Sequence, residues 1–365
     1  MKFILSPCGT SLLTNQARDN EERKLVFKHA NEKSPDAIPA DERIALENLL
    51  RRAGASLRAA DLQNAARMSA EINGIIKLYE GRITDSPDYH FLLATDTWLG
   101  EQAARLVEQW LKTVNSRFMV ILQRQNDLQT RDIMLFQSAL SDLIRLLSEE
   151  IPRYRDSGYH IVFNLTGGFK SVQGFLQSIA NFYADETIYI FESATELMRI
   201  PRLPVRMDAE GIIEANLTAF RNLVNGQSVT LPPGIPETLL MTVEGETTLS
   251  PWGELVWQTC RMALYRRCLW PSPDPGRIRY TLAFERDTGE LQADKLEALN
   301  TRIDQLQGFL SGVNPNVKNL DFKKLNGKVQ GSTHQVDAWA QRGAWRILGH
   351  FEEATFVLDR LLPHD

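Results

Sequence analysis

Cysteine is scarce in this chain of 365 residues, and its spacing excludes two kinds of cross-linked scaffold. The three cysteines are Cys8, Cys260 and Cys268, and none belongs to a CxxC pair. Neither a disulfide framework nor a zinc site is indicated, and we predict no metal site. Cys260 and Cys268 lie eight residues apart in a helical stretch. We interpret both as structural, because free cysteine behaves as a small buried hydrophobe.

Long apolar runs are missing as well. No run approaches the roughly 20 residues that a membrane-spanning helix needs. The apolar run near the N-terminus is a few residues long and ends at Ser6-Pro7, which is too short for a signal peptide. We therefore expect a soluble, cytoplasmic protein with no membrane partner.

A large excess of one charge is also absent. The formal net charge of −5 argues against a chain that wraps nucleic acid over its whole surface. Any anionic ligand must be met by a local patch. The length predicts two or three domains, and a hydrophobic content of 43% allows a sizeable core.

The most informative segment present is FNLTGGFK, residues 163–170, between an apolar run and a helical pattern. Its glycines allow close approach of the backbone, and the first-turn amides and dipole of the helix favour negative charge. Thr166 can add a hydroxyl donor and Lys170 a positive charge. The pattern predicts a site for anionic oxygen.

The N-terminal segment has the same pattern, in which an apolar run is followed by a glycine turn and a helix start. An apolar run at residues 2–5 leads into Ser6-Pro7-Cys8-Gly9-Thr10-Ser11 and a polar helix start near Asn15. The carboxyl ends of parallel strands meet at one edge of a sheet. We therefore predict that the two turns share one anion site.

Strand and helix patterns alternate along residues 1–205, which predicts a parallel, doubly wound α/β sheet. Strands are expected at 89–94, 117–123, 158–164 and 187–192, and helices at 99–115 and 133–150. Residues 19–80 are long for a crossover and are interpreted as a helical insertion. Its helices are expected at 19–32 and 41–79, with a break near Gly54.

Prolines separate two further parts. Residues 206–275 form a connector with helices at 212–224 and 253–269 and a strand or wing at 239–248, so it is helical or winged-helix-like. Residues 276–365 are predicted to form an α+β domain. Its expected elements are a strand at 279–284, a helix at 293–310, a basic loop at 318–328 and three strands at 332–338, 344–350 and 355–361, with turns at Gly343 and Glu352-Glu353.

The segments SPCGTSLLTN and FNLTGGFK, with LLATDT between them, resemble the CARF (CRISPR-associated Rossmann fold) domain over residues 1–205. The resemblance implies a two-fold homodimer that binds a cyclic oligoadenylate activator, with cyclic tetra-adenylate as the expected ring, and no cofactor. The residues that could contact the ring are Gly9, Thr10, Ser11, Asn15, Thr95, Asp96, Thr97, Asn164, Thr166, Gly167, Gly168 and Lys170.

The terminal part, with its KKL…GK segment and GAWRIL strand, looks like a toxin of the RelE/ParE type over residues 276–365. Together the two parts resemble a CARF–RelE fusion, a CRISPR-associated messenger-RNA interferase. The partners that this implies are mRNA and the ribosome, at its A site. Lys and Arg number twelve and Asp and Glu number twelve over these residues. A neutral domain is unlike a free RNA binder, which favours dependence on a host such as the ribosome.

A ribonuclease of this type needs no metal, because RNA carries its nucleophile as the 2′-hydroxyl. Arg346 matches the family's catalytic arginine and would stabilise the charge on the phosphate. The lysines that would grip the RNA backbone are Lys323, Lys324 and Lys328.

The general acid and base stay open at this point. An imidazole that titrates near neutrality suits either role, so His364 and His334 are both candidates, with Asp337 as an orienting partner of His334. The family's usual lysines on the first strand are replaced by His334, Gln335 and Asp337, and its final tyrosine or lysine cluster is missing, since the chain ends in Pro363-His364-Asp365.

Two other functions remain possible from the sequence. One is a ring nuclease that degrades its cyclic ligand with Ser11 and Lys170. The other is a ligand-gated DNA-binding regulator whose recognition helix would carry Gln258, Arg261, Arg266 and Arg267.

Two structural hypotheses accompany these functions. The exposed face of the helical insertion would dock a protein partner, for example a ribosomal one, and so raise the effective concentration of the nuclease at its substrate. The proline-punctuated connector would be the two-state element that the ligand switches.

Overall fold

The computed structural model describes residues 1–83, 85–129, 131–191, 196–204, 208–313, 320–329, 331–339 and 344–363. The chain divides into two compact units, Met1–Arg206 and Met207–Asp365. Within the described ranges, no helix combines the length and apolar character required to span a membrane.

The first unit is built on a six-stranded sheet. Its strands are β1 Lys2–Cys8, β2 Tyr89–Ala94, β3 Met119–Arg124, β4 His160–Asn164, β5 Glu186–Tyr189 and β6 Met198–Pro201. The order is β3-β2-β1-β4-β5-β6, and all neighbours are parallel except β5 and β6. The predicted Rossmann-like parallel sheet is confirmed. The antiparallel edge strand β6 was not predicted.

Helices cover both faces of this sheet. They are α1 Ser11–Gln16, α2 Asn20–Lys28, α3 Ala40–Ala59, α4 Leu62–Met68, α5 Ala70–Leu78, α6 Trp98–Val114, α7 Ile133–Asp156 and α8 Lys170–Tyr183. On one face, Ile4 shares a buried core with residues of α5 and α6. On the other, the ring of Phe3 packs 4.8 Å from that of Tyr154 of α7. Alternate residues of β1 therefore serve opposite layers.

The stretch predicted as an insertion differs from expectation in two ways. Helix α3 passes through Gly54 without a break. A Cβ there would lie 2.9 Å from Leu106 Cδ2, so this glycine permits close packing of α3 on α6. The chain breaks instead at residues 60–61 and at Ser69, where Asp61 and Ser69 cap the next helices.

Helix α5 is part of the fold itself. Its Ile72 and Ile75 are fully buried in the core that covers the sheet. The helix lies between β1 and β2 in the chain. The predicted insertion therefore ends before residue 70, and α5 is the helix of a β1-to-β2 crossover.

The second unit begins with the predicted connector. Its elements are α9 Glu210–Ala215, α10 Leu217–Val224, β7 Leu240–Val243, β8 Glu246–Leu249 and α11 Pro251–Tyr265. The helix expected at 212–224 is interrupted at Asn216, and the helix expected at 253–269 starts earlier, at a Ser250 cap, and stops at Tyr265. The segment predicted as a strand or wing is a hairpin of β7 and β8. Cys260 is buried, but Cys268 is exposed, so the burial argument was wrong for Cys268.

The rest of the unit holds a five-stranded sheet. Its elements are β9 Ile278–Tyr280, α12 Leu282–Thr288, α13 Ala293–Leu310, β10 Lys323–Val329, β11 Ser332–Trp339, β12 Trp345–Glu352 and β13 Thr355–Pro363. The order is β10-β11-β12-β13-β9, with β9 parallel to β13 and the other pairs antiparallel.

Two predictions for this sheet were wrong. The strand expected at 279–284 ends at Tyr280, because the Thr281 hydroxyl accepts from the Phe284 amide and starts α12. The basic segment expected as a loop is, over 323–329, the edge strand β10. The predicted turn at Gly343, and His364, lie outside the described residues.

A buried ion pair fastens α10 of the connector to α13. Arg221, 2% exposed, donates from Nε to Asp304 Oδ1 at 2.6 Å and from Nη1 to the Pro271 carbonyl at 2.6 Å. The Tyr265 hydroxyl also donates to Asp304. The hypothesis that the connector is the two-state element stays a prediction.

Candidate functional site

The order of the first sheet reverses between β1 and β4, which is the position where sheets of this class bind ligands. The turns after these two strands meet there. A Cβ on Gly9 would lie 3.2 Å from Gly168 Cα, and Gly168 has a φ of +98°. Glycine is needed at both positions, at the first for close approach and at the second for its backbone conformation.

The carboxylate of Glu71, on α5, fills the space between the turns. Its Oε1 accepts from the Gly9 amide at 2.8 Å and from the Gly168 amide at 3.2 Å. Its Oε2 accepts from the hydroxyls of Ser11 at 2.9 Å and Ser69 at 2.6 Å. Glu71 is 1% exposed, and these four donors compensate for the loss of water around its charge. We call this group of donors the cradle.

The sequence around α5 holds Glu71 in this position. Ser69 caps the helix by accepting from the Ile72 amide at 3.3 Å. Asn164 Nδ2 donates to the main-chain carbonyl of Glu71 at 3.0 Å. A Cβ on Gly74 would lie 2.1 Å from Asn164 Oδ1, and one on Gly167 would lie 2.3 Å from Glu71 Cδ. Both glycines therefore make room for the contact between α5 and the turns.

Several residues predicted to bind ligand are already used by this arrangement. The amides of Gly9 and Gly168 and the hydroxyl of Ser11 serve Glu71. Asn164 is buried and also donates to Ser6 Oγ at 3.2 Å. A Cβ on Gly74 would lie 2.7 Å from Thr166 Oγ1, so that hydroxyl points to α5 rather than outward.

Cys8, next to the cradle, is an inert thiol. Burial and, secondly, the charge of Glu71 raise its pKa well above the ordinary value, so it stays protonated near neutral pH.

The three residues after β2 that were predicted to contact the ring are buried. Thr95 and Thr97 share a hydrogen bond of 3.0 Å, and Thr97 caps α6 through the Gly100 amide. Asp96 accepts from Arg124 Nε at 2.9 Å and pairs with Lys33 Nζ at 2.8 Å.

The electrostatics of Asp96 agree with a structural role. Burial opposes its ionisation, but hydrogen bonds from Lys33, the Asp127 amide and Arg124 hold its pKa below the ordinary value. Its carboxylate is therefore a fixed charge in an ion-pair cluster.

Three of the residues predicted to bind the ring are on the side of the turns that faces away from Glu71, which we call the outer side. Thr10 is half-buried at the start of α1, and Asn15 is exposed, with Nδ2 donating to the Met68 carbonyl at 3.2 Å. Lys170 is exposed and is the first residue of α8, whose N-cap residue Phe169 makes no side-chain capping bond. First-turn amides and a lysine together favour an anion on this side.

Sequence reasoning missed Glu71, although a signal existed. Ser69 is a strong N-cap residue, and Glu71 lies four and seven residues before the buried Ile75 and Leu78, on the same helix face. A charged residue on an apolar stripe needs buried partners.

The second unit divides the predicted ribonuclease residues between two faces of its sheet. Arg346 pairs in register with Asp337, and Gln335 pairs with Lys323. Residues paired directly share a face, and neighbours alternate, so these four side chains start from one face. The guanidinium of Arg346 lies 3.5 Å from Gln335 Oε1.

His334 belongs to the opposite face. Its ring stacks on Phe322 at 5.4 Å and lies 6.2 Å from that of Phe356, a core residue. Lys324 pairs with it in register. Burial and the charge of Lys324 lower the pKa of His334. His334 is therefore separated from Arg346 and Asp337, which share the other face. The side chain of Lys328 lies outside the described residues.

A different histidine on this sheet is fixed by carboxylates. His350 Nδ1 lies 2.8 Å from Asp359 Oδ2, which also accepts from Ser332 Oγ at 2.6 Å. The hydrogen bond to Asp359 raises the pKa of His350 above its ordinary value. Among the residues with described positions, no group of three or more His, Cys, Asp and Glu could hold a metal ion.

Comparison with known proteins gives a family match for part of the first unit. Residues 66–203 match the family described as CRISPR-associated protein (Cas_APE2256). No curated protein sequence is similar to the chain. Among solved structures, Enterococcus italicus Csm6 bound to cyclic hexa-2′-fluoro-hexa-dAMP aligns at 13% identity with a TM-score of 0.31.

Both matches cover part of the chain. The alignment with the Csm6 structure covers 62% of this chain and 46% of that chain, and a TM-score of this size does not establish a common fold. The family match covers α5, with Glu71, and the Gly167-Gly168 turn. It supports the CARF-type, CRISPR-associated assignment for this part of the first unit.

Proposed function

We propose that this protein is a ribonuclease gated by cyclic oligoadenylate that cleaves mRNA on the ribosome in CRISPR antiviral defence. The observation that carries the proposal is the meeting of two glycine turns at the switch point of the first sheet, one of them inside the segment that matches a CRISPR-associated family. Such a switch point is where a doubly wound sheet receives a ligand with phosphates.

The ring would bind on the outer side of the turns. Lys170 and the first-turn amides of α8 offer positive charge there, and Thr10 and Asn15 offer polar groups. A cyclic tetra-adenylate can lie on the dyad of a homodimer, so that each copy contributes one such set. Exposed apolar side chains at the start of α7, namely those of Ile133, Met134 and Leu135, support pairing with a second copy.

The nuclease would act through the face of Arg346. Cleavage requires the RNA 2′-hydroxyl to attack the adjacent phosphate, the charge on its oxygens to be stabilised and the 5′-oxygen to be protonated. Arg346 supplies the stabilising charge. Lys323, which pairs with Gln335 on the same face, holds the RNA backbone. His334, on the other face, is the weaker candidate for proton transfer, so His364 keeps that role in the proposal.

The decisive experiment is mRNA cleavage in a reconstituted translation system, with and without cyclic tetra-adenylate. We expect cuts within codons that require the ligand. Arg346→Ala should reduce cleavage by about 10²–10³-fold, the usual effect of removing one group that stabilises the transition state. Arg286→Ala, an exposed arginine of α12, is the matched control and should cleave normally. Equal cleavage by both variants would refute the role of Arg346.

The ring-nuclease alternative shares the same site. The Ser11 hydroxyl donates to Glu71, which fixes its proton away from the outer side. Slow loss of cyclic tetra-adenylate that Ser11→Ala and Lys170→Ala both abolish, without any mRNA cleavage, would support this alternative.

The DNA-binding alternative fits the second unit less well. Arg266 pairs with Glu297 at 2.6 Å, and Arg267 pairs with Glu214 at 2.8 Å, so both arginines that follow α11 are already neutralised. Gln258 donates to Glu254 at 2.7 Å. A recognition helix needs such groups directed at bases and phosphates.

A further inference from the structure

The carboxylate of Glu71 occupies the position in which the sequence predicts a ligand phosphate. It accepts from both glycine-turn amides, at 2.8 Å and 3.2 Å, and from two serine hydroxyls. These donors surround two oxygens of one anion, as they would surround two oxygens of a phosphate. An incoming anion would need the same donors.

Glu71 cannot leave without moving its helix. Ile72 and Ile75, which follow it along α5, are fully buried against the sheet. Asn164 holds the main-chain carbonyl of Glu71, and a Cβ on Gly167 would lie 2.3 Å from Glu71 Cδ, so the side chain is tightly packed there. Displacing the carboxylate would expose this apolar surface, which opposes exchange with a ligand.

We propose that Glu71 is the resident anion of the cradle and a positioning residue for the ligand site. It ties the turn after β1 to the turn after β4, and the ring binds to the outer side of the turns that Glu71 holds together. This inference rests on the proposed function for the identity of the ring, but not for the role of Glu71 itself.

The resident role is tested by removing the Glu71 carboxylate and supplying acetate, a free carboxylate, in its place. Glu71→Ala removes the anion and leaves the amides of Gly9 and Gly168 in place. We expect its melting temperature to fall, and to recover by several degrees in sodium acetate relative to sodium chloride of equal ionic strength, because an anion that binds only the folded state stabilises it. The wild type should melt equally in both salts. Equal melting of Glu71→Ala in both salts would overturn the resident role.

The positioning role is tested by calorimetric titration with cyclic tetra-adenylate. Glu71→Gln keeps the size of the side chain and should bind within about threefold of the wild type. Glu71→Ala should bind about tenfold more weakly and regain affinity in acetate. Lys170→Ala should lose about tenfold, the usual effect of one charge-assisted contact, and Lys77→Ala, an exposed lysine of α5, should bind normally.

The opposite result has a clear meaning. If Glu71→Gln binds the ring tenfold more tightly than the wild type, the carboxylate competes with a ligand phosphate and the proposal is wrong. Should Glu71→Ala fail to fold, this titration of Glu71→Gln still decides the question. Absence of ring binding by the wild type would refute the proposed function, whereas the acetate experiment would still test the resident anion.

Discussion

Glu71 in the first unit and Asp304 in the second are carboxylates shielded from water, and the protein satisfies them in different ways. Glu71 receives two backbone amides and two hydroxyls, all neutral. Asp304 receives the guanidinium of Arg221 and the phenol of Tyr265. The first arrangement keeps a net negative charge in the core, and the second is neutral overall.

The difference teaches what each carboxylate does. Neutral donors from three separate segments converge on Glu71, so Glu71 organises backbone turns. An ion pair joins two elements at one point, so Asp304 fastens α13 to α10. Burial raises the pKa of Asp304, and the charge of Arg221 opposes this. Removing either partner should therefore cost more than removing both.

The largest effect is expected at the ion pair. Asp304→Ala leaves the guanidinium of Arg221, 2% exposed, without its counter-charge. We expect a loss of about 3–5 kcal/mol in the free energy of unfolding, measured by urea denaturation. The double variant Arg221→Met, Asp304→Leu should recover most of it. A double variant no more stable than Asp304→Ala would show that the pair is more than a local charge balance.

The next effect tests the packing of Glu71 against the turn. Gly167→Ala places a Cβ 2.3 Å from Glu71 Cδ, and such overpacking costs about 1–3 kcal/mol. Gly174→Ala is the matched control, because a Cβ there meets nothing within 4 Å. Within helix α8 this change should stabilise by about 0.5–1 kcal/mol. Chemical denaturation of both variants should give opposite signs; a common sign would contradict the close approach.

Loss of one neutral donor should be smaller. Ser69→Ala removes both the cap of α5 and a hydrogen bond to Glu71, and should cost about 1–2 kcal/mol in thermal or urea unfolding. Ser178→Ala, in α8, removes a hydroxyl that bonds only the Gly174 carbonyl of its own helix. It should change stability by less than about 0.5 kcal/mol. An equal cost for both would mean that Ser69 does nothing for Glu71.

The smallest effect concerns pH. The pKa of His350 is raised above its ordinary value of 6.5 by the hydrogen bond to Asp359. Its protonated form is favoured in the folded state, so this contribution to stability is full below that value and is lost as pH rises through the folded-state pKa. Between pH 6 and pH 8, at roughly the range of histidine titration, the wild type should lose more stability than His350→Gln. Parallel pH profiles would exclude the contribution.

The sequence was sufficient for the parallel sheet and for the meeting of the two turns, because short continuous apolar runs followed by glycine turns depend on local chemistry. It was insufficient for Glu71, Asp96 and His334. Their roles depend on which distant segment covers them, and a charged or polar residue has the same local pattern whether it is exposed or paired inside. The prediction of a loop at Lys323 was wrong for a similar reason, because the edge strand there depends on pairing with Ser332–Trp339.

The partners of Glu71 also set when the site forms during folding. Its carboxylate meets an amide 62 residues earlier in the chain and another 97 residues later. Contacts over such separations close late, since the loops between them must be ordered first. The amide protons of Gly9 and Gly168 should consequently exchange with solvent only when α5 opens from the sheet, which makes hydrogen exchange at these two glycines a direct report on that opening.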